Sequence, residues 1–121
     1  MIDQIKELFL KYIAIDTQSD SNSTSFPSTE KQKDFSKRLV DELKAMGITN
    51  AGMDEYGYVM ASIASNTTKN IPSVGFIAHV DTAPDADGAC KNPQIITNYQ
   101  GNDIILDASK NVSLSVKDFP E

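Results

Sequence analysis

The sequence has one cysteine and one histidine in 121 residues, and it is short of basic residues. A single cysteine, Cys90, excludes an intrachain disulfide and fits a reducing compartment, so the expected location is the cytoplasm. Eleven Lys and Arg against seventeen Asp and Glu give a formal net charge of −6. This acidic balance excludes the basic face with which a protein binds nucleic acid.

Long hydrophobic runs are also missing. No stretch approaches the roughly 20 apolar residues of a transmembrane helix, so no membrane partner is expected. The first residues, 1–7, are charged and amphipathic, unlike a signal peptide. The hydrophobic content of 40% is ordinary for a soluble globular protein, and the length allows one modest core but not two domains.

The single histidine limits what chemistry the chain can support. Neither a Ser-His-Asp nor a Cys-His constellation can be assembled, because Cys90 lies in a turn and no second histidine exists. Any metal site must therefore be completed by carboxylates, carbonyls or water, or by ligands that lie outside this sequence.

Two amphipathic helices are predicted in the first half of the chain. Apolar residues at three- and four-residue steps predict a helix that starts at Ile2 and ends near Ile15. A second helix begins after Pro27, with a capping box formed by Thr29 and Gln32 or with Ser28 as the alternative cap. It is expected to be closed by Gly47. Its buried stripe is expected to contain Phe35, Leu39, Leu43 and Met46. Its charged residues are interpreted as a solvated face.

Five short strands are predicted after the helices. Residues 51–54 and 58–63 form a hairpin in which Gly57 takes a positive φ. Residues 94–99 and 103–106 form a second hairpin through Gly101. Between them, residues 74–78 are an apolar run bracketed by prolines, which predicts a strand buried on both faces. The order of elements indicates an α/β or α+β protein.

The most informative residues follow the buried strand. His79 and Asp81 are two positions apart, so in an extended segment their side chains point the same way. The carboxylate either orients a metal-binding imidazole, or both side chains bind one ion, or the pair is an ordinary hydrogen bond at a strand end. Loop residues 16–19 either approach this site or are a polar connector. An oxygen-only cation site of Asp81, Asp85 and Asp87 does not fit calcium-loop spacing.

At several stretches the chain resembles the N-terminal portion of the peptidase T family, tripeptide aminopeptidases among the co-catalytic dizinc peptidases. Several of the matching stretches are loops, which folding alone does not dictate. They are residues 16–19, 27–30, 46–47, 75–82, 92–96, 98–99 and 103–104.

The resemblance implies a fold, a reaction and roles for two residues. The fold is α/β, here the N-terminal part of a helix-flanked mixed sheet of the zinc-dependent exopeptidase type, incomplete in this chain. The expected reaction releases the N-terminal residue of tripeptides by attack of a water that two zinc ions and a glutamate base activate. His79 is then a ligand of one zinc ion, and Asp81 is the catalytic-site residue that orients it.

The same resemblance implies that most of the site is missing. The other metal ligands and the base lie beyond Glu121 in that family. Residues 1–121 are therefore expected to be the N-terminal part of a catalytic domain, without its lid or dimerisation domain, and to be inactive alone. The alternative is a non-catalytic acidic α/β module that associates with partners or binds metal. An unpaired central strand is expected to cause self-association or strand swapping.

Overall fold

The computed structural model describes residues 1–120 and contains both helices and strands. Two helices come first, followed by four short strands. In chain order they are α1 (Ile2–Ile13), α2 (Glu30–Ala45), β1 (Gly52–Met53), β2 (Val59–Met60), β3 (Ile104–Asp107) and β4 (Val112–Leu114). Strands β1 and β2 form one antiparallel pair, and β3 and β4 form another. The predicted α/β class is confirmed.

Helix α1 lies against α2 through one aromatic contact and a small polar cluster. It ends at Ile13, two residues before the predicted end, and Ile15 N donates to Tyr12 O in a closing turn. The ring of Tyr12 meets Phe35 of α2 edge to face, with centroids 5.2 Å apart. Because Ile5 and Phe9 remain exposed, only part of the apolar stripe of α1 is buried.

Helix α2 begins without the predicted capping box. Thr29 is the N-cap in extended conformation, but its side chain makes no cap hydrogen bond. Its hydroxyl donates instead to the carbonyl of Gln18 at 2.8 Å, and the amide of Gln32 donates to the Ser28 hydroxyl at 3.2 Å. The prediction was wrong because a carbonyl from the preceding loop lies within reach of the hydroxyl.

The C-terminal end of α2 is as predicted. Gly47 has φ of +91°, the left-handed conformation that favours glycine. Its N–H donates to Lys44 O at 2.9 Å, and Ile48 N donates to Leu43 O at 3.0 Å. These two bonds are the Schellman arrangement, which satisfies the last carbonyls of a helix.

The small core lies where α2 packs on the β1–β2 hairpin. Its buried apolar residues are Phe35, Val40 and Ala51. Of the predicted stripe, Phe35 is buried and Leu39 and Leu43 are half-buried, but Met46 is 65% exposed. The stripe fades toward the end of α2 because the two-residue strands cover only part of the helix.

The β1–β2 hairpin confirms the first predicted strand pair, with shorter strands. Gly52 pairs with Met60 and Met53 with Val59. Gly57 has φ of +89°, as expected, and the Asp54 carboxylate accepts the N–H groups of Tyr56 and Tyr58. This carboxylate stabilises the turn by taking up backbone donors that the short ladder leaves unpaired.

The second hairpin forms from different partners than predicted. Strand β3 lies at the expected place, but it pairs with β4, and residues 94–99 are not a strand. The connecting turn is stabilised by Asp107, whose carboxylate accepts Ser109 N at 2.9 Å, and by Asn111 in the left-handed region. Asp, Ser and Asn side chains hydrogen-bond to nearby backbone groups and tolerate the left-handed region, so this turn supports the local β3–β4 pairing.

The predicted buried strand at 74–78 is wrong for this chain. These residues are not assigned as a strand, and Phe76 is 97% exposed while Ile77 is fully exposed. Within the described residues, 71–81 make no backbone–backbone hydrogen bond. A strand exists through pairing with neighbours, and no neighbouring strand lies beside this run to provide it.

Neither helix within residues 1–120 has the length and apolar character that crossing a bilayer requires.

Candidate functional site

The structure places His79 and Asp81 in direct contact. The imidazole Nδ1 lies 3.1 Å from Asp81 Oδ1, and the His79 side chain is 83% exposed. Alternation along an extended segment brings the two side chains to one side, as their spacing indicates. The pair therefore forms locally, although the strand expected to carry it does not.

This contact distinguishes the two ring nitrogens of His79. With a proton on Nδ1, the imidazole donates to the Asp81 carboxylate, and Nε2 keeps a lone pair directed away from it. Metal-binding histidines commonly show this arrangement, in which a carboxylate fixes both the tautomer and the ring orientation. The geometry thus suits an imidazole ligand that a neighbouring carboxylate orients.

The pair lies at the edge of an open cleft of about 800 Å³. Residues 76–81 form one wall. The opposite wall comes from α2, through Leu39, Leu43 and Met46, and from the β1–β2 hairpin, through Tyr58 and Met60. The cleft exists because the 76–81 segment stands away from α2 and from the hairpin, so apolar groups on both sides stay exposed.

The pair does not belong to a complete metal site. Among residues 1–120, no three side chains of the His, Cys, Asp and Glu types lie together as a group that could hold a metal ion. Asp85 and Asp87 do not join Asp81 in such a group, and Cys90 is exposed. Structural zinc sites take four ligands and catalytic ones take three protein ligands plus water, so one imidazole with a carboxylate beside it is short of either kind of site.

Loop residues 16–19 contact the chain immediately after the pair. Gln18 and Thr82 form an isolated parallel bridge, and Ser19 N donates to Thr82 O at 3.0 Å. The sequence left open whether this loop approaches the site, and the structure answers that it does. Sequence reasoning missed Gly88, which packs closely on Asp16. The only sequence signal for this contact was a glycine placed directly after Asp85 and Asp87.

A second polar cluster lies on the wall of the cleft and corrects an interpretation of α2. Glu42 is not on a solvated face: its side chain is only 19% exposed and binds Lys11, Tyr12 and Arg38. The hydrogen bond from Lys11, then that from Tyr12, lowers the pKa of Glu42 to about 2. Burial, reinforced by Glu42, raises the pKa of Tyr12 to about 12.

Comparison with known proteins finds relatives named peptidase T. The chain is 52% identical over 120 residues to peptidase T of Clostridium acetobutylicum, covering 99% of this chain and 29% of that protein. It is 52% identical over 121 residues to peptidase T of a Geobacillus species, covering 30% of that protein. It is 56% identical over 115 residues to peptidase T of Alkaliphilus oremlandii, covering 28% of that protein.

No protein-family model matches the chain. The chain spans about three-tenths of the length of the curated relatives it matches. The resemblance to peptidase T that the motifs indicated is confirmed, since the identity extends well beyond those motifs. Over nearly its whole length, the chain is therefore similar to part of peptidase T, at about half identity.

Proposed function

We propose that this chain forms part of a zinc-dependent aminopeptidase that releases the N-terminal residue of tripeptides. The observation that carries the proposal is the His79–Asp81 contact of 3.1 Å, in a chain about half identical to peptidase T over nearly its whole length. Peptides are accordingly the proposed substrates, and the cytoplasm remains the proposed location.

In this proposal His79 is a metal ligand and Asp81 is the residue that positions it. The Asp81 carboxylate accepts the Nδ1 proton and so presents Nε2 to the metal. Bound zinc supplies an activated water and polarises the scissile carbonyl. The pair fits one ligand with its orienting carboxylate, but the ligand number is short of a catalytic site, so no hydrolytic step is assigned to this chain alone.

A chimera tests this function directly. In peptidase T of Clostridium acetobutylicum, the stretch that matches this chain is replaced by the chain itself. We expect the chimera to hydrolyse tripeptides, His79→Ala to reduce the activity by more than about 100-fold, and Asp81→Asn to reduce it by about 10- to 100-fold. The measurement is release of the N-terminal residue from a tripeptide.

Asp85→Asn is the matched control, because Asp85 lies in the same segment without contacting His79 in the described hydrogen bonds. An active chimera that tolerates His79→Ala would overturn the role of His79. The chain assayed alone is expected to release no amino acid. If the chain alone were active and lost that activity on His79→Ala, the expectation that it is inactive alone would be overturned.

The alternative is a non-catalytic module that acts through association. The exposed apolar run at 74–78 favours it, since this run has no charged residue and its backbone groups have no partners among the described residues. Such a run pairs readily with another chain. The two functions separate in the chimera assay, because a module that only associates yields no tripeptide hydrolysis in any host.

A further inference from the structure

Directly after the His79–Asp81 pair, the backbone is held by hydrogen bonds to both its N–H and its carbonyl group. Thr82 directly follows Asp81, and its N–H donates to Thr17 O at 3.3 Å. Its carbonyl accepts Ser19 N at 3.0 Å and the Ser19 hydroxyl at 3.1 Å. Because residues 71–81 make no backbone–backbone hydrogen bonds within the described chain, Thr82 is the first anchored point after a long unpaired segment.

A second contact fixes the same segment a few residues later. The Gln18 side-chain amide donates to Ala86 O. Gly88 lies so close to the loop that a Cβ there would be 2.1 Å from Asp16 Oδ1 and 2.7 Å from Gln18 Cγ. Real Cβ atoms do not approach other atoms so closely, so any other residue at position 88 would force Asp16 or Gln18 to shift.

Loop 16–19 is itself fixed to α2. Thr17 is only 4% exposed. The Asp16 carboxylate accepts Gln18 N on one oxygen and Lys31 Nζ on the other, each at 2.9 Å. Gln18 O accepts the Thr29 hydroxyl at 2.8 Å. Asp16 therefore cannot move aside for a Cβ at Gly88 without losing these bonds, and the loop forms a rigid support.

We propose that residues 16–19 together with Gly88 form a positioning clamp for the His79–Asp81 pair. By fixing both backbone groups of Thr82, the clamp sets the direction of the Asp81 side chain and, through Asp81, the orientation of the imidazole. Within the described part of the chain, none of these residues forms a hydrogen bond to His79, so each acts as a positioning residue. The inference rests on the proposed function only for its link to zinc.

The test compares two glycine-to-alanine variants of the whole chain. Gly88→Ala introduces the clash, whereas Gly75→Ala places a Cβ in open space in the segment that precedes His79. Because the chain has one histidine, the nitrogen NMR signals of its ring report on His79 alone. Asp81→Asn supplies the reference signal for an imidazole that has lost the carboxylate.

We expect the ring signals of Gly88→Ala to move toward those of Asp81→Asn, and those of Gly75→Ala to stay with the unaltered chain. When zinc alone is titrated, Gly88→Ala should need at least about threefold more zinc to perturb the His79 signals, because the groups that orient a metal-binding histidine tune its metal affinity. The far-UV circular dichroism spectra of the unaltered chain, Gly88→Ala and Gly75→Ala should be the same. Unchanged ring signals in a folded Gly88→Ala variant would overturn the clamp.

Three further outcomes are decisive. If Gly88→Ala loses its helical signal, Asp16→Ala replaces it. This variant removes the bonds from Gln18 N and Lys31 Nζ that hold the loop, and unchanged ring signals in it would overturn the clamp. If zinc leaves His79 unperturbed in the unaltered chain while Gly88→Ala still moves the ring signals, the clamp stands and the metal role of His79 fails. If zinc binds equally to all variants and the ring signals do not move, the clamp fails and the metal role of His79 stands.

Discussion

At the scale of single residues, Glu42 shows how tertiary contacts change the role of a charged side chain. Its position on α2 is typical of a solvated face, yet Lys11 and Tyr12 of α1 and Arg38 of its own helix converge on it. Three donors from two helices on one carboxylate make it the main polar link between α1 and α2. The contact with Tyr12 also continues to Phe35, so polar and aromatic packing support each other.

Glu42 predicts a stability that falls in acid. Its pKa is lowered from 4.5 to about 2, so its contribution is present above pH 4.5 and is lost as the pH falls toward 2. We expect Glu42→Gln to lower the free energy of unfolding near neutral pH by about 1–3 kcal/mol, allowing for solvent screening, and by much less in strong acid. Urea unfolding followed by circular dichroism measures both values.

Glu30→Gln is the control, because Glu30 lies on the same helix with a side chain that is 80% exposed. It should change the free energy of unfolding by less than about 0.5 kcal/mol. Equal effects of the two substitutions would contradict the assigned link. Tyr12 adds an alkaline limit: its pKa is raised to about 12, so its contribution is present below pH 10 and is lost as the pH rises through 12.

At the scale of elements, local signals decided which structures formed. Helix α2 ends where Gly47 permits a left-handed turn, and the β3–β4 hairpin forms where Asp107 and Asn111 build a tight connection. Residues 94–99 formed no ladder, although Gly101 in the turn that follows takes the left-handed conformation. A local turn signal therefore supports a strand pair but does not by itself create one.

Gly47→Ala tests the helix end. Alanine at φ of +91° is strained, so we expect the free energy of unfolding to fall by about 1 kcal/mol. Gly52→Ala is the control, since Gly52 has no left-handed φ and its Cβ would meet nothing within 4 Å. Thermal or urea unfolding of the two variants makes the comparison. A Gly47→Ala variant as stable as Gly52→Ala would show that the Schellman turn contributes little.

At the scale of the whole molecule, the apolar run at 74–78 is a surface left without cover. Val74, Phe76 and Ile77 are all largely exposed, and this run carries no charge in a chain of net charge −6. Charge repulsion acts between the other faces of two copies but not along this run. Antiparallel pairing of the run with itself would satisfy its backbone groups in both copies symmetrically.

Self-association is the expected consequence. Sedimentation velocity over a range of concentrations should show dimers or larger species that grow with concentration. Phe76→Asp should shift the distribution toward monomer by at least about tenfold in dissociation constant, since a charge on a pairing strand opposes pairing. Phe119→Asp, at an exposed phenylalanine outside the run, should have little effect. A monomer at every concentration would contradict the expectation.

The sequence by itself determined the features that rest on short-range physics. The periodicity of apolar residues predicted the two helices. Gly47 predicted the end of α2, and Gly57 predicted the turn of the β1–β2 hairpin. The two-residue spacing predicted the contact between His79 and Asp81. The similarity to peptidase T was also recognisable from the residues, and it is confirmed by 52% identity over 120 residues to one such protein.

Only the tertiary structure decided the rest. It determined that Glu42 joins two helices, that Thr29 bonds to Gln18 rather than to its own helix, and that loop 16–19 holds the chain beside Asp81. It also determined that the run at 74–78 has no neighbouring strand. A hydrophobic pattern states that a segment can be buried, but burial and strand pairing need a partner surface, and partners distant in sequence leave no local signal.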